Sequence, residues 1–186
     1  MSWWLKLGGL ATAALMLAGL TIGTAYTADE RLPKRDGLVP ATTKGVPHIQ
    51  IGAKPIPALS ERLLGRVSTL PGVRLRPTVI SLPGAKGFWL SESLDLARPK
   101  AIVGGREFAH LHPDGSLHAS LPPKRAHEAV VAGWATMHPW ASKRPGWEGF
   151  VLLYTPRSVD EADVVFQLIV DGYNYVTGQN HVANEL

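Results

Sequence analysis

The sequence predicts an α+β domain, an antiparallel sheet of about 4–5 strands with helices packed on one face, preceded by an N-terminal apolar helix. Three observations lead there. Short strand-like runs separated by Pro-Gly turns crowd the middle of the chain, helical periodicity flanks them on both sides, and a charge-free stretch comes first.

That first stretch runs from Leu7 to Tyr26, 20 residues without a charge behind Lys6. As a helix rising ~1.5 Å per residue it would reach about 30 Å, the thickness of a bilayer's hydrocarbon core. Residues 1–26 therefore read as a signal-anchor or a signal peptide, with Gly23-Thr24-Ala25 as a cleavage candidate and Trp3 and Trp4 as interfacial anchors. The length of the run favours the anchor. Lys6 before it and Asp29-Glu30 after it orient the remainder outside the cytoplasm, either tethered to a membrane or exported after cleavage. Residues 27–58 carry five prolines among scattered glycines and read as an extended linker.

The domain is expected over 59–178, with 179–186 as a tail. Leu63, Leu64, Val67 and Leu70 have helical spacing behind Ser60, an N-cap candidate, and Pro71-Gly72 stops them. Residues 73–82 read as a strand that Pro77 confines to an edge. Residues 87–90 form a second strand, and 101–103 a short third. Residues 106–112 and 116–121 make a hairpin around Pro113-Asp114-Gly115, 124–134 a helix, and 150–154 a buried strand. The final helix spans 159–176. Val159, Ala162, Phe166, Ile169, Tyr173 and Val176 line one side of it, and Asp160 and Glu161 suit the dipole of its first turn.

Charge and composition remove several function classes. Nineteen basic against fifteen acidic side chains leave +4, but residues 59–186 hold 13 against 12, so the domain lacks the footprint of a nucleic-acid binder. With no cysteine there is no disulfide, thiolate ligand or thiol nucleophile. No glycine-rich nucleotide loop is present, Gly104-Gly105 being too little for one.

The chemistry concentrates in the hairpin. A three-residue loop with Gly115 left-handed sets His110 opposite His118 and His112 opposite Ser116. His110, His112 and His118 then share one face, while Ala109, Leu111, Leu117, Ala119 and Leu121 share the other. A two-residue loop would mix the faces, so burial selects the first register. No acidic residue is expected on the histidine face. Three imidazoles there can bind a metal, act as acid and base, or form a polar sheet face and nothing more. His138 sits in an aromatic loop before Pro139-Trp140, and Arg157 ends the buried strand as a candidate grip for an anion. Trp134, Trp140 and Tyr154 are candidates for contact with a flat ligand, whereas His48, His127 and His181 receive no role.

These residues resemble a known family. Glu107-Phe108-Ala109-His110-Leu111-His112, Ser116-Leu117-His118, Gly133-Trp134, His138-Pro139 and Leu153-Tyr154-Thr155-Pro156-Arg157 are similar to the luciferase domain of bioluminescent fungi, over roughly residues 103–178. The hairpin tip Pro113-Asp114-Gly115 departs from the longer tip of the fungal enzymes. The resemblance implies an oxidoreductase, a luciferase-like oxygenase needing no cofactor beyond O2. The fungal enzymes oxidise 3-hydroxyhispidin, an α-pyrone, so it also implies a small enolic or phenolic substrate. On that pattern a histidine of the 110/112/118 face would deprotonate the enol, Arg157 would hold the anion, and His138 would orient or reprotonate the adduct. All five are then expected in one pocket. A His-ligated metal protein and a membrane-tethered ligand-binding domain without catalysis stand as alternatives.

Overall fold

The computed structural model describes residues 31–186. Six antiparallel strands form one sheet: β1 (Val73–Pro77), β2 (Lys86–Leu90), β3 (Glu107–Leu111), β4 (Leu117–Ser120), β5 (Ala135–Met137) and β6 (Phe150–Leu153). Their spatial order is β1-β2-β3-β4-β6-β5. Three α-helices accompany them, α1 (Pro57–Val67), α2 (Pro123–Val131) and α3 (Val159–Thr177). The apolar helix expected at 7–26 lies outside the described residues. Among the described residues no helix is long and apolar enough to cross a membrane.

The helix boundaries follow from local chemistry. Both α1 and α2 begin with proline, whose fixed φ and missing N–H suit the first helical position. Helix α1 therefore starts ahead of Ser60, the residue expected to cap it. Helix α3 is capped by Ser158, whose hydroxyl accepts from the Glu161 N–H, and ends at Gly178 with φ 77°. Arg66 reaches from α1 to Asp163 of α3, and Arg125 from α2 to the buried Asp171 of α3. Leu63 and Val67 of α1, Ala126 and Ala129 of α2, and Phe166 and Ile169 of α3 join one core with Leu111, Leu117, Ala119 and Leu153 of the sheet. All three helices thus pack on a single face, as expected.

The sheet is wider than expected. Strand β5 has three residues, pairs only with β6, and forms the edge opposite β1. The strand expected at 101–103 is instead the end of a short helical turn, Pro99–Ala101. No edge was open to it there, because β3 already lies between β2 and β4.

Residues 31–56, read from sequence as linker, lie folded against the domain. The Arg35 N–H donates to the Ala132 carbonyl, and the Trp134 indole donates to the Pro33 carbonyl. The buried Arg35 guanidinium donates to the Thr155 carbonyl and to Glu161, between the rings of Trp134 and Tyr154. Further on, Thr42 bridges Gln50, whose side-chain oxygen accepts from the Thr155 N–H. The arm is thereby pinned at both ends, and its middle crosses the sheet face opposite the helices.

Candidate functional site

The hairpin adopts the expected register. His110 pairs with His118, Leu111 with Leu117, and the turn closes through Gly115 at φ 81°. The Leu111 and Leu117 side chains join the core, so the three histidines project from the far face. All three are nonetheless buried, because residues 46–49, 80–82 and the 138–150 loop cover that face. Between them remains a cavity of ≈ 270 Å³, floored by histidine and walled by Ile80, Leu82, Val103, Trp140 and Phe150.

The cluster is larger than the hairpin. His110 Nε2 lies 3.0 Å from His118 Nδ1, and His118 Nε2 lies 3.3 Å from Nδ1 of His48, delivered by the arm. His138 stands edge-on to His118 with ring centres 4.7 Å apart. His112 donates to the Ser116 hydroxyl at 2.9 Å, since that hydroxyl itself donates to Asp114 at 2.7 Å. This fixes the His112 proton on Nδ1 and leaves Nε2 as a lone pair. The Trp140 N–H donates to His138 Nδ1 at 3.0 Å, so His138 carries its proton on Nε2.

An acid does stand on this face, contrary to strict alternation. Phe88 pairs with Ala109 and Trp89 with Glu107, leaving Phe108 as the extra residue of a β-bulge. Phe108 turns into the core against Phe88 and Tyr173, and Glu107 turns to the histidines. Its Oε1 lies 2.9 Å from His110 Nδ1. The Thr78 hydroxyl donates to Oε1 and the Val79 N–H to Oε2, which makes Glu107 an acceptor at both oxygens. Gly87 makes room for it, as a Cβ there would sit 2.9 Å from the carboxyl carbon.

Burial works against protonation of four of these imidazoles. It pushes His112 down to about 4 and His138 to about 3, holds His118 well below its ordinary value, and lowers His48; neighbouring imidazoles add to the shift in all but His48. Imidazoles shifted in this direction are deprotonated at neutral pH, with a lone pair on each ring.

Other expectations divide. His138 and Trp140 line the cavity with the hairpin histidines. Arg157 does not. Its half-exposed guanidinium pairs with Glu161 and donates to the Asp36 carbonyl, because the adjacent first turn of α3 holds the nearest carboxylate. Trp134 and Tyr154 are also displaced from the cavity, their rings flanking Arg35 under the arm. His48 and Glu107 are the residues missed. The alternation in His48-Ile49-Gln50-Ile51 is the local sign of the pairing the arm makes at Gln50.

An α+β domain with a buried histidine pocket on the open face of its sheet is the class these features define. The resemblance is to the luciferase-domain family: residues 105–170 match the model of the Luciferase domain. A protein named Luciferase from Neonothopanus nambi is 36% identical over 106 residues, which cover 50% of this chain and 39% of that protein. The chain thus spans well under two thirds of that relative's length. No solved structure gives a significant match. His110, His112, His118 and His138 all fall inside the matched segment, whereas His48 precedes it.

Proposed function

We propose that this domain is an oxygen-using oxidoreductase acting on a small, flat enolic or phenolic substrate held over the histidine face. One observation carries this reading: the cavity of ≈ 270 Å³ joins apolar walls to imidazoles supplied by the luciferase-like segment. Such a combination is the usual form of a small-molecule site. The Trp140 and Phe150 rings offer stacking surfaces, and the His138 Nε2–H is a donor suited to a substrate oxygen. A substrate entering as its enolate, its enol proton already lost to solvent, would add through carbon to O2, its electron pair forming the new C–O bond while the O2 π bond breaks and leaves a peroxide anion. Arg157 has no part in this reading.

The test is oxygen uptake across a panel of pyrones and aromatic enols, followed with an electrode. A substrate should raise uptake above the uncatalysed rate, and His138→Ala, which removes that donor, should reduce kcat by roughly two to three orders of magnitude while the protein stays folded. No uptake with any enol of a size to enter the cavity would refute the oxidase reading.

A further inference from the structure

We infer that His110, His112 and His118 bind one divalent first-row transition ion. The inference rests on the proposed oxidation only for its purpose and stands on separate geometry. One nitrogen from each ring lies within 4.8 Å of one from the others, and all three side chains are buried. Neutral imidazole is the ligand such ions prefer.

The surroundings favour this triad. Metal-bound histidines characteristically donate their remote N–H to an oriented acceptor. An ion taking Nε2 of His110, Nε2 of His112 and Nδ1 of His118 leaves each remote nitrogen beside such a group. Glu107 Oε1 lies 2.9 Å from His110 Nδ1, Ser116 Oγ 2.9 Å from His112 Nδ1, and His48 Nδ1 3.3 Å from His118 Nε2. Behind Ser116 stands Asp114, so two of the three acceptors lead to a carboxylate.

Two further observations point to a missing positive charge. Glu107 is fully buried, and its one ion-pair partner among the described residues is His110, a group charged only if protonated. His110 Nδ1 is also the one histidine nitrogen among the described residues that is buried with no hydrogen bond, its approach to Glu107 being out of line. A cation at the three imidazoles would offset the carboxylate and polarise that N–H toward it.

A second triad, His48, His118 and His138, has nitrogens equally close. It lacks a ligand, because the Trp140 N–H occupies the His138 lone pair at Nδ1 and the ring's proton sits on Nε2. His138 is therefore a neighbour of the ion and not a ligand.

Full-length protein prepared without a polyhistidine tag should be titrated with Co(II), read by its visible ligand-field absorption, and with Zn(II) by calorimetry. One ion per chain is expected. His112→Ala and His118→Ala should abolish binding, Glu107→Gln should weaken it by about 10–100-fold, and His138→Gln should leave the stoichiometry and spectrum unchanged. Circular dichroism checks folding; if either alanine variant fails to fold, Glu107→Gln decides, unchanged affinity being the refuting result. Folded wild-type protein that takes up neither ion, or loss of binding in His138→Gln, would overturn the triad. Chelator-stripped protein that still consumes oxygen with an enol would overturn the ion's role and leave the oxidation standing. Loaded protein that oxidises nothing would refute the oxidation and leave the metal site in place.

Discussion

Glu107 reaches the histidine face because Phe108 is the larger apolar group. With only one of them able to enter the core, the bulge places the ring there and returns the carboxylate to the polar side. Simple alternation predicts the reverse, so this acid was illegible in the sequence, whereas the His110–His118 pairing was legible because burial of Leu111 and Leu117 selected it. The glycine opposite is the sharper test. A Cβ on Gly87 would sit 2.7 Å from Trp89 Nε1 and 2.9 Å from the Glu107 carboxyl carbon. Trp89 Nε1 donates to the Pro77 carbonyl, and Glu107 is held by Thr78 and Val79. Gly87→Ala should cost about 1–3 kcal/mol in urea denaturation, and an unchanged midpoint would show that the carboxylate is not tightly held.

Helix α3 crosses β4 at close range. A Cβ on Gly172 would fall 2.8 Å from the Ser120 carbonyl oxygen, a backbone atom that cannot rotate away. Alanine gains ~0.8–1.0 kcal/mol over glycine within a helix, but the forced separation should exceed it. Gly172→Ala is expected to lower stability by a net ~1–2 kcal/mol, and a rise in the thermal midpoint would contradict this packing. Helix α3 and the hairpin were readable because each carries its own period and end signals, and β6 because it is an unbroken apolar run. Strand β5 was not, since Ala-Thr-Met has no period and is extended only by pairing with β6. Nor was the placement of Arg157. A strand end next to a helix offers an arginine two directions, and Glu161 on the first turn of α3 decided between them.

For the whole molecule, the arm and the buried histidines dominate. Arg35→Ala removes two charge-assisted hydrogen bonds but leaves Glu161 paired with Arg157, so a loss of about 2–3 kcal/mol is expected. No loss in equilibrium unfolding would mean that the arm is held elsewhere. The pH dependence has a definite sign. His112 and His118 have folded pKa values below the unfolded one, so the unfolded chain binds more protons as pH falls. The stabilising contribution of His112 is complete above about 6.5 and is lost toward about 4, at up to ~1.4 kcal/mol per pH unit, and His118 acts in the same direction. Unfolding free energies should therefore fall between pH 6.5 and 5, before most carboxylates titrate. A flat profile there would mean that these imidazoles protonate freely in the native state.

The arm's origin has a consequence for descent. The floor of the cavity is encoded within 105–170, but Val46 to Ile49 and Ile80 to Leu82, which close it, are encoded upstream of that segment. The hairpin histidines and this part of the mould therefore occupy different stretches of one chain and are free to diverge at different rates. Substitutions in the mould can exchange one substrate for another while every histidine of the floor is kept, so two proteins alike across the segment need share a chemistry without sharing a diet.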